Sequence, residues 1–471
     1  MPILRIAAAF ALALCVNAQA ETALGTAEKA LDDAVQYFTQ KVSTRGSYLW
    51  TYSEDLSVRK GEGDATKTMG WVQPPGTPAV GEALLDAYEA AGRREYLEAA
   101  RQTARALYET QLTTGGWDYR IEFHPDQRKK WNYRVNPRQG ARDRTIFDDD
   151  NTQSALRFLM RIDRLEEGRL KEAREAVEYG LKALLKAQYP NGAWPQVYAG
   201  ETWSVEERPS LKAKYPESWS RTYVKTPHAG FYTFNDNAIR DIVETLIIAA
   251  KQYGDSAYEQ AVLRAAQFIL DAQMPDPQPA WAQQYNYQME PDWARKFEPP
   301  SISGGESSGT ARLLIDLYLE YGREEYLNAA LKAAEWYQRS SVGENRWARF
   351  YELRTNKPIY FNKRYEIVDH PNDLPTHYSF QGGYGVAGLL RYAEEVKAEG
   401  REAYLAKQNA PLSDKRRREK VEELKPRVME IVHRLDDQGR WVEEGQIRCS
   451  TFNRNVRTLA EFIRLSKSLR R

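Results

Sequence analysis

Residues 78–117 read PAVGEALLDAYEAAGRREYLEAARQTARALYETQLTTGGW. Apolar side chains recur three and four residues apart, as at Leu84, Leu85 and Tyr88, which gives each helix one buried face. The pattern breaks at Ala91-Gly92 and closes in a Gly-Gly turn, so the stretch predicts two helices joined as a hairpin. The same plan returns in NTQSALRFLMRIDRL followed by REAVEYGLKALLKAQYPNGAW between 151 and 194. It returns again in NDNAIRDIVETLIIAAKQYG with YEQAVLRAAQFILDAQ from 235 to 273, and in GGESSGTARLLIDLYLEYGREEYLNAALKAAEWYQ from 304 to 338. Helical hairpins that recur with short inner turns and long outer loops are the signature of a repeat array.

The predicted fold class is therefore mainly α: an α/α toroid of helical hairpins, with an open superhelix as the structural rival. First helices begin near 79, 151, 236 and 305, so the variable lengths fall in the outer loops. Those loops gather at one end, and a binding cleft is expected there. Two of them carry QxxxGxW, at Gln111–Trp117 and Gln188–Trp194, which reads as a structural clasp: the glycine allows the turn and the indole folds back on the helix ends. Before the first hairpin, a helix is expected around 27–41, followed by a Gly-, Pro- and Thr-rich loop. After the fourth, RWARFYELRTNKPIYFNKRYEIV is rich in aromatic and β-branched residues with a turn at Thr355–Pro358, which predicts a small β-rich insertion at about 346–380. Helices are expected again at about 384–397, 413–434 and 454–468.

Residues 1–20 read as a cleavable signal peptide, with Arg5, the apolar run IAAAFALALCV and a small-residue end at Ala18-Gln19-Ala20. The expected domain plan is a signal at 1–20 and one toroidal catalytic domain at 21–471, secreted or periplasmic, monomeric and without a membrane span. Loss of the signal removes Cys15 and leaves Cys449 alone, so no internal disulfide is expected. Charge is balanced, 67 basic residues against 66 acidic, which argues against nucleic acid as the main partner. An anionic ligand would have to be met by a local site. Twelve Trp and twenty-nine Tyr suit a protein that offers flat faces to sugar rings, although the same residues build cores.

Two acidic clusters sit at predicted helix starts. Thr145–Thr152 carries Asp148, Asp149 and Asp150, and Tyr232–Asn237 carries Asp236 between two asparagines. One acid suffices as an N-cap; three in a row repel one another unless a cation is near. Oxygen-rich clusters of this kind suit Ca²⁺ or Mg²⁺. The five histidines show no HExxH or Cys/His spacing, which argues against zinc. No GxSxG, P-loop or GxGxxG occurs. The long stretch 281–307, WAQQYNYQMEPDWARKFEPPSISGGES, has neither helical nor strand period and reads as an ordered functional loop.

That stretch, together with QYPNGAWPQVY at 188–198, YTFNDNAI at 232–239 and RFYELRTNKPIYF at 349–361, resembles the family 10 pectate lyases. The resemblance spans about 140–365. It implies an α/α toroid that cleaves polygalacturonate by β-elimination with calcium and an arginine base. The arginine of the family's PAWARxFExPS segment falls on Arg295, and the acids of its TIDNxAT and TYND segments fall on Asp148 and Asp236. The resemblance thus implies Arg295 as general base and Asp148 and Asp236 as calcium ligands. Trp281, Gln284 and Trp194 are candidate contacts to the sugar rings, with Trp293 a further stacking candidate. Lys296 and Arg354 are candidate partners of substrate carboxylates, solvated charge being the other reading for both. Core packing is the alternative for each tryptophan. The chain departs from the family in Trp281-Ala-Gln-Gln-Tyr285, where the family commonly reads WCAQHD, and in a longer loop at 200–231. The rival functions are an inverting glycoside hydrolase using Asp148 or Asp236 as acid and base, and a non-catalytic polyuronate-binding protein.

Overall fold

The structure is a computed structural model that describes residues 22–375 and 379–470. The expected signal at 1–20 lies outside the described residues. A first helix, α1 (22–37), continues as a π-helical turn, Phe38–Val42. The four hairpins follow as α2 (Thr77–Ala91) and α3 (Arg94–Glu109), α4 (Asn151–Leu165) and α5 (Lys171–Ala187), α6 (Ala238–Tyr253) and α7 (Ser256–Asp271), and α8 (Glu306–Tyr321) and α9 (Glu324–Arg339). The breaks follow from local chemistry. Thr77-Pro78 opens α2, where proline at the first turn sacrifices no hydrogen bond. Gly92, Gly254 and Gly322 close α2, α6 and α8 in the left-handed conformation. Each helix turns one apolar stripe inward; on α4 it comprises Leu156, Phe158, Leu159 and Ile162, each side chain worth about 1.5–3 kcal/mol when buried.

Helices α2, α4, α6 and α8 touch in succession, and so do α3, α5, α7 and α9, which gives an inner and an outer layer. The chain continues through α10 (Val386–Glu399), α11 (Arg401–Asn409), α12 (Asp414–His433) and α13 (Cys449–Ser468). Helix α13 packs against α2, Arg457 pairs with Asp86 at 3.3 Å, and Phe452 stacks on Phe38 at 3.7 Å. The end of the chain thus returns to the first hairpin, as a toroid requires and an open superhelix does not. Helix α11 was not expected. A second addition is a small sheet in which Thr51–Ser53 pairs with Gln446–Arg448, joining the two ends of the chain.

The β-rich insertion is present. Phe350–Tyr351 pairs with Pro358–Phe361 across the expected turn, and Ile367–Val368 lies beyond. Its fourth strand, Ile302–Ser303, comes from the long loop at 281–307 and ties that loop to the insertion. No helix among the described residues is long and apolar enough to cross a membrane.

The clasp motif repeats with the same bonds. Gln111 Nε2 donates to the carbonyls of Gly115 and Ala176, and Gln188 Nε2 to those of Gly192 and Ala261. Gly192 sits at φ +98° with a Cβ position only 2.2 Å from the Arg264 carbonyl oxygen, so no other residue fits that turn. Trp117, Trp194 and Trp281 each donate Nε1–H to a carbonyl near the end of the preceding helix, at Leu107, Leu184 and Ile269. This corrects two of the expected substrate contacts. Trp194 and Trp281 are fully buried at 0% exposure, and their indoles close helix ends rather than face a sugar. Trp293 is buried as well, donating to the Ser220 carbonyl and packed edge-on against Trp219, Tyr223 and Phe361.

Candidate functional site

The N-termini of α4 and α6 carry the two acidic clusters, and both are built on the same unusual backbone. Asp149 and Asp150 adopt φ of 53° and 57°, and Asp236 and Asn237 adopt 46° and 62°. Left-handed pairs without glycine are strained and tend to mark functional sites. Their effect here is to swing the carboxylates away from helix capping and toward each other. Asp148, Asp149 and Asp236 present oxygens that all lie within 4.8 Å of one another. Asp150 turns the other way and pairs with Arg157 inside the toroid at 2.5 Å.

The cluster is electrostatically unbalanced. Burial, then the charges of Asp149 and Asp236, push the Asp148 carboxyl up to about 7, against hydrogen bonds from Gln196 and Asn235. Burial, then Glu306 and Asp149, push Asp236 up to about 6, while Arg349 and Arg295 draw it down. Asp149 is raised by burial, opposed by the Tyr119 hydroxyl and the charge of Arg295. Three crowded carboxylates with raised values and an all-oxygen donor set fit a hard divalent cation.

Asp148 lines a cavity of about 250 Å³ together with Arg295, Glu298, His228, Gln283 and Gln284. Arg295 projects from the long loop with its side chain 49% exposed. Its Nε and Nη2 donate to the two oxygens of Glu298 at 2.8 and 2.5 Å, and its backbone N–H adds a third bond at 3.0 Å. Burial alone would raise the Glu298 carboxyl, but the Arg295 bonds and charge outweigh it and hold it below the usual carboxylate range. Gln284 is buried, lines the cavity and donates to the Asp292 carbonyl.

Two other expected contacts lie outside the described cavity lining. Lys296 is exposed with Nζ 3.6 Å above the Tyr365 ring. Arg354 is exposed; its Nη2 donates to the Pro216 carbonyl at 2.9 Å and its guanidinium lies 5.2 Å from the Tyr215 ring, so it fastens the 200–231 loop. That loop is held further by Arg208 over Tyr287 at 3.8 Å, by Lys214 with Glu290 and by Arg221 with Glu352. Its last turn carries His228 to the cavity wall.

Sequence reasoning placed Asp149 in the acidic cluster without choosing between it and Asp150 as a further ligand, and it missed Glu298, Gln283, Asn235, Gln196 and His228. The Arg-x-x-Glu spacing of Arg295 and Glu298 was a usable signal. Nothing local marked His228, whose placement depends on anchors distant in sequence.

The loop end of the toroid thus sets Arg295 and Asp148 on one cavity, with Asp149 and Asp236 beside Asp148. Residues 129–387 match the family model described as pectic acid lyase, and the chain belongs to that family. It is a pectate lyase-like enzyme. Among solved structures, the chain is similar to the family 10 polysaccharide lyase from Cellvibrio cellulosa, at 22% identity and a TM-score of 0.48 over 66% of this chain and 98% of that one. A mutant of that lyase in complex with trigalaturonic acid gives 21% and 0.47 over the same shares. Cellobiose 2-epimerase from Bacillus thermoamylovorans is similar at 15% identity and a TM-score of 0.49, over 94% of this chain and 99% of that one. No curated protein matches the chain.

Proposed function

We propose that this lyase is an exported, calcium-dependent enzyme that cleaves polygalacturonate or a related polyuronate by β-elimination, with residues 21–471 forming one catalytic domain. The observation that carries the reading is that Arg295 and Asp148 line one cavity while the charge of Arg295 bears on Asp149 and Asp236. Asp148, Asp149 and Asp236 would hold the calcium. When bound, the cation neutralises the uronate carboxylate and so makes the neighbouring C5 proton easier to remove. Arg295, in its deprotonated form, would take that proton and become the guanidinium cation. The C5–H electrons form the C4=C5 double bond, the C4–O4 electron pair leaves on O4, and water entering the cavity protonates the departing oxygen. Gln284 and His228 flank the ring in the cavity, and Lys296 meets a further uronate outside it.

An arginine is a poor base, because its pKa exceeds about 12, and the Glu298 carboxylate further favours its cationic form. The rate is therefore expected to climb into the alkaline range. The inverting hydrolase is disfavoured by distance. Its two carboxyls stand about 6.5–9.5 Å apart to admit a water, whereas Asp148, Asp149 and Asp236 lie within 4.8 Å.

The test is incubation of the purified protein with polygalacturonate, with calcium or with chelator, followed by ultraviolet absorbance of the unsaturated uronate. Calcium-dependent absorbance supports the reading; its absence at neutral and alkaline pH on several polyuronates sinks it. Export is tested separately by the N-terminal sequence of protein recovered outside the cytoplasm.

A further inference from the structure

We propose that Gln283 is a positioning residue that fixes Arg295 relative to the carboxylate cluster, an inference that rests on the β-elimination reading above. Gln283 Nε2 donates to two acceptors, Asn235 Oδ1 at 2.6 Å and Glu298 Oε1 at 2.6 Å. Both amide hydrogens are thereby committed, which fixes which end of the amide is nitrogen. Asn235 Nδ2 in turn donates to Asp148 Oδ1 at 3.2 Å and Asp236 Oδ2 at 2.6 Å. At the other end Glu298 receives the guanidinium of Arg295. One amide therefore joins the half of the site that meets the substrate carboxylate to the half that removes the proton.

The path is largely buried. Asn235, Gln283 and Glu298 border the cavity but are only 4%, 3% and 1% exposed, so water competes little for these bonds. The arrangement also has a cost that stability alone does not explain. With its nitrogen committed, Gln283 Oε1 is buried with no hydrogen-bond partner among the described residues. Burying an unpaired amide oxygen is unfavourable, and an aliphatic side chain of the same volume would avoid it. The amide is thus kept for what its nitrogen holds. Without it, the Arg295–Glu298 pair loses its strut to Asn235 and can swing as a unit. A displacement of about 1 Å in a reacting group costs on the order of a hundredfold in rate.

The experiment compares Gln283→Leu and Gln283→Met with the unsubstituted full chain. Three quantities are read: kcat and KM on polygalacturonate, terbium affinity of the chelated protein by luminescence, and the unfolding midpoint in chelator. The expected result is a kcat lowered about tenfold to a hundredfold with KM within about twofold. Terbium affinity should fall about tenfold, because Asn235 is no longer oriented, and the midpoint should fall modestly, because Asn235 Oδ1 and Glu298 Oε1 lose their donor. Unchanged kcat and terbium affinity would overturn the proposal. So would a steeply lowered midpoint in both variants with kcat and KM falling in step, which marks a structural role. Gln283→Glu, which removes both donors and sets a second anion against Glu298, should be slower than Gln283→Leu; equal or higher activity also counts against the proposal. If the unsubstituted protein yields no unsaturated uronate, the lyase reading fails on its own, and terbium affinity still decides whether Gln283 organises the cluster.

Discussion

Asp148→Asn should make the chelated protein more stable at alkaline pH while abolishing its calcium-dependent activity. In the folded chain the Asp148 carboxyl is pushed from 3.8 up to about 7, first by burial and then by Asp149 and Asp236. A folded value above the unfolded one means that the stability is fully present below pH 3.8 and is lost as pH rises through about 7. At about 1.4 kcal/mol for each pH unit, ionised Asp148 costs the cation-free protein about 4 kcal/mol above that range. Asparagine removes the charge but has one acceptor where the carboxylate has two. Gln196 Nε2 and Asn235 Nδ2 both donate to Asp148, so one of them is left facing an amide nitrogen, which costs about 1–3 kcal/mol. The net expectation is a variant about 1–3 kcal/mol more stable than the parent at about pH 8 and less stable at about pH 4.5. Urea unfolding in chelator at the two pH values measures the difference directly. Calcium should then stabilise the parent more than the variant. The reasoning is refuted if the difference between variant and parent does not move in favour of the variant as pH rises.

Arg295→Lys keeps a cation but not the two-pronged bond to Glu298, and kcat should fall by about 10²–10⁴ with native circular dichroism; full activity would remove Arg295 from its role. Trp194→Phe keeps the ring and loses the bond to the Leu184 carbonyl, so unfolding free energy should drop by about 1–2 kcal/mol while KM on polygalacturonate stays level, whereas a stacking residue would raise KM. Calcium affinity measured by calorimetry should weaken as pH falls through about 7 and then about 6, because protons compete for Asp148 and Asp236. Gly192→Ala should destabilise by about 1–3 kcal/mol, since φ +98° and the Arg264 carbonyl leave no space for a methyl group.

The hairpins were legible because a helix announces its buried face every three or four residues, and because Gly92, Gly254 and Gly322 punctuate it. Motif context pointed to Arg295, Asp148 and Asp236, which the structure brings to and beside one cavity. The tryptophans misled because aromatic content does not distinguish a ring offered to a sugar from one that closes a helix end. For Trp194 the QxxxGxW pattern was the better guide, and the structure follows it. The loop at 200–231 was opaque for another reason. It has no period, and its anchors on Tyr287, Glu290 and Glu352 are far away in sequence.

The acid cluster shows what a repeat can add. Phe147-Asp148-Asp149-Asp150 and Phe234-Asn235-Asp236-Asn237 occupy the same place before α4 and α6 and share one backbone, with the left-handed pair at the third and fourth residues. Laid over each other, they match Asp149 with Asp236 and Asp148 with Asn235. The two acids at the third position project into the cluster because φ near +50° turns them there. At the second position the copies differ, and the difference is chemical. A carboxylate in both copies would bring a fourth anion into a group already pushed up by mutual repulsion. An amide in one copy instead donates to Asp148 and Asp236 together, at 3.2 and 2.6 Å, and spends its oxygen on Gln283. That single divergence turns a like-charge contact into a bridge, and the bridge runs on to Arg295.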